Sequence, residues 1–201
     1  MKTAARIISY LFHPLLMPTL GLFLILHSGS YLSLMDPMAK HAILLVMVLG
    51  TLVFPLMMIP ILHYRQLVSM QQGGRSYERL LPGLVILILY AITWIYFSRL
   101  PLNRSIQAYM LAVLLTLMVM LALNLRFRVS MHLAALGGLC GLILALAVLY
   151  DALMQGPLIL IILASGLSAS AQILMNHLSW KGVLGGFVCG SLMVFLILLI
   201  Y

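Results

Sequence analysis

Residues 131–150 read MHLAALGGLCGLILALAVLY, a run of twenty residues that contains no lysine, arginine or acidic side chain. A helix of about 20 apolar residues spans the hydrocarbon core of a bilayer, which is about 30 Å thick. The length and the lack of charge therefore predict a transmembrane helix. Gly137 and Gly141 lie four residues apart on one face of that helix, a spacing that lets a second helix approach closely.

Six further apolar stretches surround this one, at about 8–27, 42–62, 80–98, 106–125, 157–176 and 183–201. Each has roughly the length of one span. We predict an all-α, polytopic membrane helix bundle of six to seven transmembrane helices, in a single integral membrane domain over residues 1–201. Pro14 and Pro18 interrupt the first stretch, which we expect either to span or to form a re-entrant or interfacial segment. Small residues four apart (Gly166 and Ser170, Gly186 and Gly190) predict that the last three spans pack tightly.

The composition points to lipid as the main solvent of the chain. Hydrophobic residues make up 65% of the sequence and charged residues 7%, whereas a soluble domain carries about 25% charged residues. A separate soluble catalytic domain is therefore excluded. The two cysteines, Cys140 and Cys189, lie inside apolar runs and indicate packing residues rather than a disulfide or a metal site.

The formal net charge of +8 indicates a preference for anionic partners. The basic residues are scattered singly, without the basic stripe and interleaved aromatics that a nucleic-acid surface needs. We therefore expect no nucleic-acid binding, and we expect membrane lipids, in particular a phosphorylated lipid, as partners. Nothing in the sequence fixes an oligomeric state.

Three polar clusters interrupt the apolar pattern. The first covers residues 73–82 before the third span, the second residues 126–132 before the fifth, and the third residues 168–181 at the end of the sixth. An even number of spans separates each pair, so all three clusters are predicted to face the same water layer. We expect one interfacial pocket that gathers Arg75, Arg79, Arg128, Ser130, His132 and His177.

These residue types suit phosphate chemistry. Arginine forks match phosphate oxygens, a serine at a helix start adds donors, and two imidazoles can attack a phosphoryl group and protonate its leaving group. The chain has only three acidic residues, Asp36, Glu78 and Asp151. Because two of them fall on the opposite predicted side, we expect no carboxylate-built metal site and no cofactor.

The order of these features resembles the type 2 phosphatidic acid phosphatase superfamily, in particular short, all-membrane members of Bacteroidetes-type bacteria. Ser130-Met131-His132 is similar to the second motif of that family, Ser-Gly-His, and Gly186 and Gly190 are similar to the glycines after its third motif. His13-Pro14 also reads like that subgroup.

The resemblance implies a phosphatase-like core at residues 71–201 after N-terminal spans at 1–70, in a multi-pass protein of the bacterial inner membrane. It implies a metal-independent lipid phosphate or polyprenyl diphosphate phosphohydrolase. In that enzyme His177 is the nucleophile and His132 the general acid. The phosphate is held by Arg75, Arg79, Arg128 and Ser130.

The third motif departs from the family pattern, which is Ser-Arg, five residues, His, three residues, Asp. Aligned on His177, its arginine and aspartate positions hold Ala171 and Lys181; aligned on the later glycines, they hold Gln172 and Gly182. Two functional classes therefore stay open. One is a lipid phosphate hydrolase, and the other is a non-catalytic protein that binds, transports or scaffolds phospholipids.

The membrane orientation also stays open. In an alternating seven-span topology, eight lysines and arginines lie on the side of the polar clusters and three on the opposite side. This count places the clusters in the cytoplasm. The family resemblance places the site on the extracytoplasmic side, and the count falls to four against three when the candidate ligand arginines are set aside.

Overall fold

The computed structural model describes residues 12–29, 31–64, 76–152, 154–174 and 179–201. Within these ranges the regular structure is entirely helical. A 3₁₀ turn at Tyr31–Leu34 precedes the helix Pro37–Val48, and a π-helical segment at Leu49–Val53 joins that helix to the next one, Phe54–Tyr64. The α-helices are α1 Met17–Leu26, α2 Pro37–Val48, α3 Phe54–Tyr64, α4 Ser76–Arg99, α5 Arg104–Arg126, α6 Met131–Tyr150, α7 Gln155–Leu174 and α8 Trp180–Ile200.

Six helical segments among the described residues are long and apolar enough to cross a membrane. They are Pro37–Met58, Leu81–Arg99, Arg104–Arg126, Met131–Tyr150, Gln155–Leu174 and Trp180–Ile200. The prediction of an all-helical fold is thereby confirmed, and six of the described helical segments could span a membrane by their length and composition. Helix α1, in the first apolar stretch, has only ten residues. Pro14 lies before it and Pro18 in its first turn, where a proline is tolerated because the N–H it lacks would have no partner within the helix.

The π-helical segment lies beside a proline. Pro55 has no backbone N–H to give to the carbonyl of Thr51, four residues earlier, so a regular α-helix would leave that carbonyl without a partner. The hydroxyl of Tyr90 in α4 donates to the Thr51 carbonyl at 3.3 Å. The Thr51 hydroxyl donates to the carbonyl of Met47 at 2.8 Å. The Tyr90 hydroxyl of α4 thus takes the place of the backbone N–H that Pro55 lacks.

Helices α6 and α8 are the most closely packed pair. A Cβ added at Gly137 or Gly141 would collide with the backbone of α8. A Cβ added at Gly186 would collide with the backbone of Ser130, just before α6, and one at Gly190 with the backbone of α6. We call these four residues the glycine seam, and they confirm close packing for two of the predicted small-residue pairs. In α7, a Cβ at Gly166 would meet no atom within 4 Å. The Gly166 side of α7 therefore faces away from the described bundle.

One end of the bundle collects several helix termini. The amide of Ser130, just before α6, donates to the carbonyl of Gly182 in the first turn of α8, and the Ser130 hydroxyl bonds to Gln172 near the end of α7. Gly83, near the start of α4, lies against Leu121, near the end of α5. We call this end the Ser130 face. The prediction that the second and third polar clusters share one side is confirmed.

Candidate functional site

Ser130 joins three helices at the centre of its face. It is 1% exposed. Its backbone is extended, and it is the last residue of the connection between α5 and α6. Its hydroxyl accepts from the amide of Leu133 at 3.1 Å, which caps α6, and donates to Oε1 of Gln172 at 2.6 Å. The single proton of the hydroxyl is therefore engaged. A phosphate oxygen could accept that proton only by displacing the Gln172 amide.

Gln172 is the partner that fixes Ser130. Its side chain is buried, 7% exposed, and bridges α7 to the start of α6. Ser168 lies one turn earlier in α7 and is also buried, and its hydroxyl has no hydrogen-bond partner among the described residues. The pair forms a small polar region under the Ser130 face.

Arg128 extends from a connection that the protein holds in place. Asn124 lies in the last turn of α5. Its side chain donates to the carbonyl of Met120 at 2.9 Å and accepts from the amide of Val129, in the connection after the helix, at 3.1 Å. A Cβ at Gly182 would collide with the carbonyl of Arg128, so the connection lies directly on α8. The Arg128 side chain itself is exposed.

The charged side chains of the described residues divide unequally between the two ends of the bundle. Three exposed cations, Arg126, Arg128 and Lys181, lie at the Ser130 face, where no described side chain is acidic. The Lys181 ammonium lies 5.8 Å from the centre of the Trp180 ring. At the opposite end the described charges are Asp36, Lys40, Arg99, Arg104 and Asp151.

His132 lies in the first turn of α6, next to His13. Their ring centroids are 5.9 Å apart, with the rings nearly perpendicular at 79°. Nδ1 of His13 accepts from the amide of Leu15 at 3.3 Å, which places the proton of the neutral ring on Nε2. Burial lowers the pKa of His13 below its ordinary value. His13 is not among the site residues predicted from the sequence, although its place beside Pro14 in an apolar stretch was the available signal.

The structure brings Arg128, Ser130 and His132 to one face. Arg75 and His177 lie outside the described residues, and so does the side chain of Arg79. The pairing of His132 with His177 across a phosphate therefore stays a prediction. No three His, Cys, Asp or Glu side chains among the described residues lie close enough to hold a metal ion.

A largely apolar cavity of about 240 Å³ lies between α1, α4, α5 and α6. His13 and Met131 line it towards the Ser130 face, and Tyr90 and Tyr109 line it further along the bundle. The hydroxyl of Tyr109 donates to the carbonyl of Met17 at 3.4 Å. A space accessible to apolar groups thus begins beside the two histidines.

No family model, curated protein or solved structure matches this chain. The likeness to the phosphatase superfamily stays a prediction made from the motifs.

Proposed function

We propose that this chain binds the phosphate group of a phosphorylated membrane lipid at the Ser130 face, without hydrolysing it. The observation that carries the proposal is the group of exposed cations at the Ser130 face, where no described side chain is acidic; they are Arg126, Arg128 and Lys181. Cations at a bilayer surface attract anionic headgroups, and a guanidinium fork matches two phosphate oxygens.

The Ser130–Gln172 bond favours binding over hydrolysis. In the likeness to the phosphatase superfamily, Gln172 takes a position at which an arginine would grip the phosphate. A neutral amide supplies no positive charge to the transition state, and removal of an arginine from a phosphoryl-transfer site costs about 10³–10⁵ in rate. The amide also holds the Ser130 hydroxyl at 2.6 Å. The bond between Ser130 and Gln172 thus holds helices together, and the exposed Arg126, Arg128 and Lys181 are the groups available to a phosphate.

The proposal is tested by the affinity of detergent-purified protein for phosphatidic acid and for diacylglycerol with the same acyl chains, measured by native mass spectrometry. Arg128→Gln should weaken phosphatidic acid binding about fivefold, since a cation near an anionic surface contributes about 1 kcal/mol. Diacylglycerol binding should not change. Arg104→Gln is the matched control, because Arg104 is also an exposed arginine but lies at the opposite end. Equal effects of the two substitutions would reject the site.

Hydrolysis is the second candidate, and the proximity of His13 to His132 favours it. Two imidazoles with rings 5.9 Å apart provide proton-accepting and proton-donating groups at one face. By the family likeness, His177 would attack phosphorus, His132 would protonate the leaving alkoxide, and water would then cleave the phosphohistidine.

Phosphate release from phosphatidic acid or undecaprenyl diphosphate separates the two candidates. Wild-type protein is compared with His132→Ala and His177→Ala at equal concentration. Release by the wild type that both substitutions abolish would establish hydrolysis. If all three proteins release phosphate at the same rate, hydrolysis by these histidines is excluded, while the binding measurement still decides the first proposal.

A further inference from the structure

The apolar cavity has the size of a ring or of part of one hydrocarbon chain. Its volume of about 240 Å³ exceeds that of an engineered apolar cavity of about 150 Å³ that stays dry and binds benzene. It is smaller than the roughly 300–1,000 Å³ of pockets that enclose drug-sized ligands. A complete two-chain lipid would not fit inside it.

The wall of the cavity selects against charge. Much of it consists of aliphatic and methionine side chains such as Ile86, Val113 and Met120, and none of the described residues that line it carries a formal charge. An ion enclosed by such a wall would lose its hydration without gaining a counter-charge. The cations of the Ser130 face are not part of the wall, so the cavity differs in chemistry from the proposed phosphate site.

Polar groups interrupt the wall at a few positions. The hydroxyls of Tyr90 and Tyr109 are already engaged by the carbonyls of Thr51 and Met17. Thr116 lines the cavity and is 8% exposed, and its hydroxyl has no hydrogen-bond partner among the described residues. Threonine populates two χ1 rotamers in helices, and rotation exchanges the positions of its hydroxyl and methyl groups. The hydroxyl can thereby turn towards the cavity.

We propose that the cavity binds the oxygen-bearing end of a single uncharged hydrocarbon chain of the long-chain alcohol class, with Thr116 bonded to that oxygen. The apolar wall holds the chain, and the oxygen supplies the partner that a buried hydroxyl requires. The site lies beyond the proposed phosphate function, because its ligand is uncharged and none of the three cations takes part.

The test uses full-length protein in detergent and two photoreactive probes, a diazirine-bearing hexadecanol and the corresponding hexadecane. After irradiation, mass spectrometry locates and quantifies the label. Both probes should label the wall segments of α5 and α6, and hexadecanol should label more strongly. Thr116→Val should lower hexadecanol labelling about fivefold or more and leave hexadecane labelling unchanged, because it replaces only the hydroxyl.

Ala135→Phe fills the cavity and should lower labelling by both probes. Leu160→Phe is its control, because Leu160 is 68% exposed on α7 and is not among the residues that line the cavity. Equal labelling of wild type and Ala135→Phe, or a Thr116→Val effect that is the same for both probes, would overturn the proposal. Cavity labelling by hexadecyl phosphate as strong as that by hexadecanol would also overturn it. Thr116→Val alone decides the matter if Ala135→Phe does not fold.

Discussion

The substitution Gly190→Ala probes the glycine seam, which sets the distance between α6 and α8. A Cβ at Gly190 would lie 2.7 Å from the carbonyl carbon and 2.9 Å from the Cα of Ala134, and closer still to the carbonyl oxygen. Non-bonded carbon atoms attract one another best at about 3.5–4.0 Å. Because the obstructing atoms are backbone, no side-chain rotation relieves the collision, and the helices must separate by about 1 Å.

Overpacking of this kind destabilises a protein by about 1–3 kcal/mol. The same separation lengthens the bond from the Ser130 amide to the Gly182 carbonyl, which is 3.1 Å in the structure. Alanine recovers up to about 1 kcal/mol through its higher helix propensity. We therefore expect a net loss in the free energy of unfolding of about 1–2 kcal/mol.

Unfolding by sodium dodecyl sulfate in mixed micelles, followed by circular dichroism, measures this free energy. Gly185→Ala is the matched control, because Gly185 lies in the same helix and a Cβ there would meet no atom within 4 Å. It should leave the protein as stable as wild type or slightly more stable. A Gly190→Ala protein as stable as Gly185→Ala would refute the close approach of α6 and α8.

Three further predictions use the same unfolding measurement. Gln172→Leu removes the acceptor of the Ser130 hydroxyl, and a double-mutant cycle with Ser130→Ala should give a coupling of about 0.6–1.7 kcal/mol; a coupling of zero would show that the bond contributes nothing. Tyr90→Phe removes the donor to the Thr51 carbonyl and should lower the free energy of unfolding by about 0.5–1.5 kcal/mol. Tyr96→Phe, at a half-exposed position, should not lower it measurably. His13 has a pKa lowered by burial, so the unfolded chain binds its proton more readily. Stability should therefore be constant above about pH 6.5 and decrease below it, and His13→Gln should reduce that decrease.

The amino-acid sequence by itself determined the apolar character of this protein, the positions of its candidate spans, and that its second and third polar clusters share one side. Apolar runs of about 20 residues leave no alternative to helices in lipid, because every backbone polar group must bond within its own segment. Alternation of the spans then places the second and third clusters together, as the Ser130–Gln172 bond shows.

Only the tertiary structure decided which helix faces meet. The spacing of Gly137 and Gly141 permits close packing with any small-residue surface, and Gly166 has equally suitable spacing yet faces away from the described bundle. The contact between His13 and His132 joins residues far apart in sequence, and no local pattern encodes it. Pairing of helices depends on the simultaneous fit of many side chains and backbones, whereas hydrophobic run length depends on one segment at a time.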